Sequence, residues 1–89
     1  MIEQDLEIVN EKGLHARASA KFVEVVERFG ADVVVMKDGM SVPGDSIMGL
    51  LMLAASRGTS ITVKISGADE AEVMDALAAL VADKFGEGM

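Results

Sequence analysis

The sequence has no cysteine, no tryptophan, no tyrosine, one proline and one histidine. Without cysteine there is no disulfide framework, no thiolate nucleophile and no Cys-ligated zinc or iron–sulfur centre, which suits a reducing compartment. The lone His15 excludes multi-histidine metal sites and any mechanism that needs two imidazoles, so whatever imidazole chemistry exists happens there, and no metal or cofactor is expected. Aromatic residues are confined to Phe22, Phe29 and Phe85, and the net charge is -7. Such a chain offers little for bases to stack on and little to attract a phosphate backbone, so nucleic acid is excluded as a partner. The longest apolar run, Ile47 to Ala55, is interrupted by Gly49 and is about half the length a bilayer needs. Met1-Ile2-Glu3-Gln4-Asp5 is acidic where a secretion signal is basic, so the sequence reads as cytoplasmic, with no membrane partner.

What is present suffices for one core. Of 89 residues, 51% are hydrophobic and 26% charged, which suits a single globular domain over residues 1–89 and no second one. The acidity is uneven. Residues 67–89 carry a balance of -5, whereas residues 1–66 carry only -2. The window Lys12 to Val23 holds Lys12, Arg17 and Lys21 and no acid, so the only histidine lies in the only clearly positive stretch.

Ile2, Leu6 and Ile8 alternate with Glu3, Asp5 and Glu7, the period of a strand with one wet face, and Asn10-Glu11-Lys12-Gly13 breaks it. From Ala16 to Phe29, Ala16, Ala20, Phe22, Val23, Val25, Val26 and Phe29 form an apolar face against Lys21, Glu24, Glu27 and Arg28, and Gly30 stops this helix. Val33–Met36 and Met40–Val42 flank Lys37-Asp38-Gly39, a hairpin signal, and Pro43-Gly44 ends the second of these strands. Asp45 or Ser46 caps a short helix from Ile47 to about Ala55, closed by Gly58. Ser60 to Ser66 alternates as a further strand. After Gly67, Asp69 and Glu72 predict a capping box for a last helix whose buried stripe is Val73, Leu77, Leu80 and Val81. The order is βαββαβα, which predicts an α+β domain with an antiparallel sheet covered by helices on one side.

Gly13-Leu14-His15-Ala16-Arg17 puts His15 where a turn becomes a helix, beside backbone N–H groups without intrahelical partners. That end attracts anions and disfavours a protonated imidazole, which leaves a ring nitrogen free to act as a nucleophile. If the nitrogen attacked a phosphoryl donor, the new dianion would lie against these amides, with Arg17 able to offer a two-pronged contact and Gly13 permitting the tight turn ahead of the ring. The plainer alternative is that His15 only caps the helix and Arg17 is a solvated first-turn residue.

The segment Asn10-Glu11-Lys12-Gly13-Leu14-His15-Ala16-Arg17 resembles the active-site loop of HPr, the family of histidine-containing phosphocarriers of the bacterial phosphotransferase system. Ser46-Ile47-Met48-Gly49-Leu50 is similar to the family's regulatory-serine helix, and Ile61 to Glu70 to its last strand and helix start. The resemblance spans nearly the whole chain in order. It implies an open-faced β-sandwich, a four-stranded antiparallel sheet with three helices on one face. It also implies that His15 accepts a phosphoryl group on Nδ1 from phosphorylated enzyme I and passes it to an EIIA-type acceptor, with Arg17 contacting the phosphate. This is a carrier in a relay and not an enzyme turning over substrate alone. Ala18 stands where the family usually has proline directly after the arginine; alanine is a good helix former, so the change touches the helix entrance and no reacting group. Sugar-system members often carry lysines along the first helix, whereas this chain has Glu24 and Glu27, which leaves a nitrogen-branch regulatory carrier as an alternative to sugar uptake.

Ser46 is a preferred N-cap residue, and the resemblance implies that it is also a site of regulatory phosphorylation by an HPr kinase/phosphorylase. Ile47, Met48, Leu51 and Met52 form one stripe of the short helix, with Leu50, Leu53 and Ala54 on another. The resemblance assigns the first stripe, with Leu14, Ala16 and Ala20, to the surface that docks partners, and the chain is expected to be a monomer. A distant rival is an acyl-carrier-like protein modified on Ser46, since Gly44-Asp45-Ser46-Ile47 precedes a helix. That rival requires an all-helical bundle, which the alternating strand around Ile61 to Ile65 and the Asp38-Gly39 hairpin contradict.

Overall fold

In the computed structural model, which describes residues 1–87, four strands form one sheet: β1 (Ile2–Glu7), β2 (Asp32–Lys37), β3 (Met40–Pro43) and β4 (Ser60–Ser66). Their spatial order is β1-β4-β2-β3, and every pairing is antiparallel. Helices α1 (Ala16–Arg28), α2 (Ile47–Met52) and α3 (Glu70–Ala82) complete the βαββαβα order, followed by a single 3₁₀ turn over Lys84–Gly86. Among the described residues no helix is long and apolar enough to cross a membrane.

The register explains which face is covered. Leu6 pairs with Ile61, and Val35 pairs with both Val63 and Val42, so the inward-facing aliphatic side chains line up across the strands and are buried against the helices. On the other face Glu3 pairs with Lys64 and Asp5 with Thr62. The Thr62 hydroxyl donates to Asp5 Oδ1 at 2.7 Å, and the Lys64 ammonium lies 3.5 Å from Glu3. One sheet face is therefore dry and the other polar, as the strand alternation predicted, in the open-faced sandwich that the resemblance implied. The hairpin has the expected chemistry: Lys37 pairs with Met40, and the two residues between them, Asp38 and Gly39, both have positive φ (51° and 82°), the signature of a type I′ turn.

Four expectations need correction. Helix α2 is shorter than its apolar run, because Ala54 adopts a left-handed φ of 51° and turns the chain away; Gly58 has no part in ending it. Asp69 does not form a capping box: it is itself left-handed (φ 62°) and its side chain makes no cap bond, whereas a side-chain cap needs extended backbone to aim the oxygen at the next amides. In α1 the buried set is Ala18, Ser19, Phe22, Val23, Val25 and Val26, so Ala16 and Ala20 lie outside the core. In α3, Met74 is buried beside Val73, Leu77 and Val81, while Leu80 is only partly covered.

The C-terminal turn carries no periodic signal, yet it closes the core. Phe85 is fully buried although it and Lys84 both hold a left-handed φ of 55°, a conformation unfavourable for a bulky residue unless packing offsets it. Lys21 of α1 donates to the Phe85 carbonyl at 2.7 Å. Phe85→Ala is expected to cost about 3–5 kcal/mol of stability, read from a shift in the urea unfolding midpoint at constant slope, whereas Phe85→Leu should lose much less.

Candidate functional site

The site begins in the loop between β1 and α1. Asn10 is fully buried and closes the turn twice: its carbonyl accepts from Gly13 N–H at 3.2 Å and its Nδ2 donates to the Gly13 carbonyl at 2.8 Å. Gly13 has a φ of +67°, and a Cβ there would stand 2.5 Å from the Ala55 carbonyl oxygen and 2.9 Å from Ser56 Cα. Only glycine lets these two backbones approach so closely. The next residue is then locked, since Leu14 N–H donates to that same Ala55 carbonyl at 2.8 Å. Leu14 is consequently 4% exposed. The expectation that it contributes to a docking surface is corrected: its side chain belongs to the core, and burying it anchors the loop.

His15 follows as the N-cap of α1, with extended backbone (φ -80°, ψ -175°) and no side-chain cap bond. The first intrahelical bond runs from Ser19 N–H to the His15 carbonyl at 2.8 Å, so the amides of Ala16, Arg17 and Ala18 precede it and have no intrahelical partner. Ala18 is fully buried and the helix starts at Ala16 without a proline in the first turn. The ring is 27% exposed, so it is neither sealed inside nor spent on capping. Arg17 is exposed, and none of the ion pairs among the described residues engages it.

The ring has a partner that sequence reasoning missed. His15 Nε2 meets Glu87 Oε2 in a short hydrogen bond, and Glu87 Oε1 accepts from Asn10 Nδ2 at 2.9 Å. The Glu87 side chain is only 7% exposed. Burial by itself would raise its pKa, but the hydrogen bonds from Asn10 and His15 and the positive charges of His15 and Lys12 outweigh burial and hold the carboxyl below the usual glutamate range. An ionised carboxylate can only accept, so the hydrogen between the two groups resides on Nε2, and whenever the ring is neutral its lone pair is on Nδ1. Glu87 lies 72 residues from His15 and carries no local motif; only the acidity of residues 67–89 hinted at it. Asn10 looked like an ordinary turn residue.

The second helix borders the ring. A shallow recess of about 300 Å³ is lined by Lys12, Leu14 and His15 together with Leu51, Ala54, Ala55 and Ser56. Ile47, Met48 and Met52 are exposed by 40%, 70% and 64%, while Leu50 and Leu53 are buried; Ala54, grouped with them by periodicity, is exposed once the helix has ended. Leu51 is half-buried at the recess, and Ala16 and Ala20 are exposed on α1. Ser46 is the N-cap of α2, and its hydroxyl accepts from Gly49 N–H at 3.0 Å. Among the described residues no group of three or more His, Asp or Glu side chains could hold a metal ion.

The chain is similar to known proteins over nearly its whole length. The family model for the PTS HPr component phosphorylation site matches residues 2–83. The phosphocarrier protein HPr of Neisseria meningitidis serogroup A is 52% identical over 99% of both chains, and that of Cupriavidus necator 48% identical over 99% of both. The crystal structure of HPr-C-His from Thermoanaerobacter tengcongensis superposes with a TM-score of 0.94 at 40% identity, covering 100% of each chain.

A pH dependence follows from the Glu87 contacts. Its folded pKa is depressed, so its contribution to stability is complete above the ordinary glutamate value of 4.5 and is lost as pH falls through the lower folded value. The stability difference between the native chain and Glu87→Gln should therefore be constant above that pH and shrink below it. Urea unfolding across an acid series checks this.

Proposed function

The chain belongs to the HPr family of phosphocarriers of the phosphotransferase system, and from that premise we propose that His15 is its phosphoryl-bearing residue, loaded on Nδ1 by phosphorylated enzyme I and unloaded onto an EIIA-type acceptor in the cytoplasm. The observation that carries this reading is the partly exposed ring at the start of α1, with one nitrogen hydrogen-bonded to Glu87 and three amides without an intrahelical partner following it. Nδ1 attacks the phosphorus of the donor, and the donor's P–N bond breaks. The dianion then rests near the positive end of α1, where Arg17 adds two donors and a charge. Onward transfer reverses these steps, so the protein contributes positioning and electrostatics and is regenerated unchanged.

Docking falls to the exposed stripe of Ile47, Met48 and Met52, with Leu51 at the ring and Ala16 and Ala20 alongside. Flexible methionines suit a surface that meets donor and acceptor in turn, and an interface below ~1,200 Å² releases each quickly. Phosphorylation of Ser46 would place a dianion at the edge of that stripe and oppose acidic partners.

Incubation with labelled phosphoenolpyruvate and enzyme I should give acid-labile label on the native chain and none on His15→Ala; label retained by that variant overturns the assignment. Arg17→Glu should fold normally and slow transfer by roughly 100-fold, the scale of losing a charge-stabilising donor, in rapid-quench measurements. For Ser46, incubation with an HPr kinase followed by mass mapping should place the modification there, and the modified chain should be loaded more slowly by enzyme I.

A further inference from the structure

We propose that Glu87, braced by Asn10, is a positioning residue for phosphoryl transfer: it fixes the proton of His15 on Nε2, so that Nδ1 is the nucleophile on the way in and a neutral imidazole is the leaving group on the way out. The inference rests on the reading of His15 as the phosphoryl-bearing residue.

Three observations meet here. Glu87 Oε2 contacts Nε2 and not the other ring nitrogen. Its second oxygen is held at 2.9 Å by a fully buried asparagine whose same nitrogen donates at 2.8 Å to the Gly13 carbonyl, two residues before the ring. The turn that delivers Glu87 is itself fixed, by buried Phe85 and by the bond from Lys21 to the Phe85 carbonyl at 2.7 Å. The carboxylate is therefore a placed group and not a loose terminal side chain. Asn10 to Glu87 to His15 forms a chain in which each member orients the next, the same logic by which a buried carboxylate sets the tautomer of a catalytic histidine.

The step balances without any proton transfer. In the free protein Nε2 carries hydrogen and Nδ1 a lone pair. That pair forms the Nδ1–P bond as the donor's bond to phosphorus breaks and its electrons leave with the donor. The ring, still protonated on Nε2, becomes a cation beside the Glu87 carboxylate. When an acceptor nitrogen attacks phosphorus, the Nδ1–P electrons return to Nδ1 and neutral imidazole departs. Without the carboxylate, the Nδ1–H tautomer would block the nucleophile, and a phosphorylated ring that had lost its Nε2 proton would have to leave as an imidazolate, a far poorer leaving group. Phosphate on the opposite nitrogen from Glu87 also keeps the two anionic groups on different edges of the ring.

Nitrogen-15 NMR of the His15 ring tests positioning apart from function. The native ring should show hydrogen on Nε2, Glu87→Ala should let the Nδ1–H form appear, and Glu87→Gln, which restores an acceptor carbonyl of the same reach, should return it towards Nε2–H. In rapid-quench transfer from enzyme I both variants should be slowed by roughly 10-fold, the scale seen when the partner that orients a functional histidine is removed, because Gln restores the bond and not the charge. A native ring protonated on Nδ1, an unchanged tautomer in Glu87→Ala, or native transfer rates in both variants overturns the proposal. If instead the tautomers shift as stated but native His15 takes no label, positioning stands and the carrier reading is what fails.

Discussion

The close approach of Gly13 to Ala55 and Ser56 is the constraint on which the site depends. It joins the end of β1 to the chain just past α2, and through the Leu14 to Ala55 hydrogen bond of 2.8 Å it fixes the height at which α1 begins. Two left-handed residues converge on it, Gly13 and Ala54. Glycine adopts that region freely, and alanine there is held by the packing of Leu53 and Ala55 on either side, both buried. Because the two backbones touch, the ring of His15 and the exposed stripe of α2 are held side by side. On the function proposed above, a partner seated on Met48 and Met52 would find the ring at a set distance, which is how a small interface could still deliver a reacting atom accurately.

Electrostatics then work at two ranges. The chain as a whole is strongly acidic, and acidity of this kind keeps it soluble and away from polyanions. Near the ring the balance reverses, with Lys12 before it, Arg17 after it, and at the head of α1 the amides that have no intrahelical partner. The positive character is thus local to the segment that carries the ring. Glu87 is the exception within that zone, and it bonds to the nitrogen that does not need to be free. The negative charge of the C-terminal segment is used where it supports the ring and is elsewhere on α3 turned to solvent, as at Glu72 and Asp75.

Much of this was legible in the residues, for identifiable reasons. Strand alternation is a short-range property, so β1, β4 and the wet face of Glu3 and Asp5 were readable, as was the Asp38-Gly39 turn, whose chemistry is local. The helix entrance at His15 was readable because Gly13 and the following amphipathic run are adjacent. What failed depended on tertiary context. Leu14 is apolar and near the histidine, which fits a core anchor as well as a docking residue, and only the bond to Ala55 decides between them. Asp69 and Glu72 have capping-box spacing, but the left-handed backbone at Asp69 defeats it. Helix α2 has an apolar run long enough to continue, and only the turn at Ala54, required for the contact with Gly13, ends it.

The C-terminal turn was invisible for a deeper reason. Phe85 in a left-handed conformation and Glu87 beside a histidine 72 residues away have no periodicity to announce them, because a single 3₁₀ turn has too few residues to establish one. Their effect is nonetheless large, since a buried aromatic fixes a short segment whose own hydrogen bonds could not, and a fixed segment can present a carboxylate to one ring nitrogen and not the other. The fully buried Asn10 shows that this precision has a cost: its Oδ1 is left without a partner among the described residues, while its Nδ2 serves both Gly13 and Glu87. An unsatisfied buried acceptor costs about 1–3 kcal/mol, and an apolar residue would avoid it. The asparagine is therefore explained by what its nitrogen holds in place rather than by what it adds to stability, which links the folding of the loop directly to the chemistry of the ring.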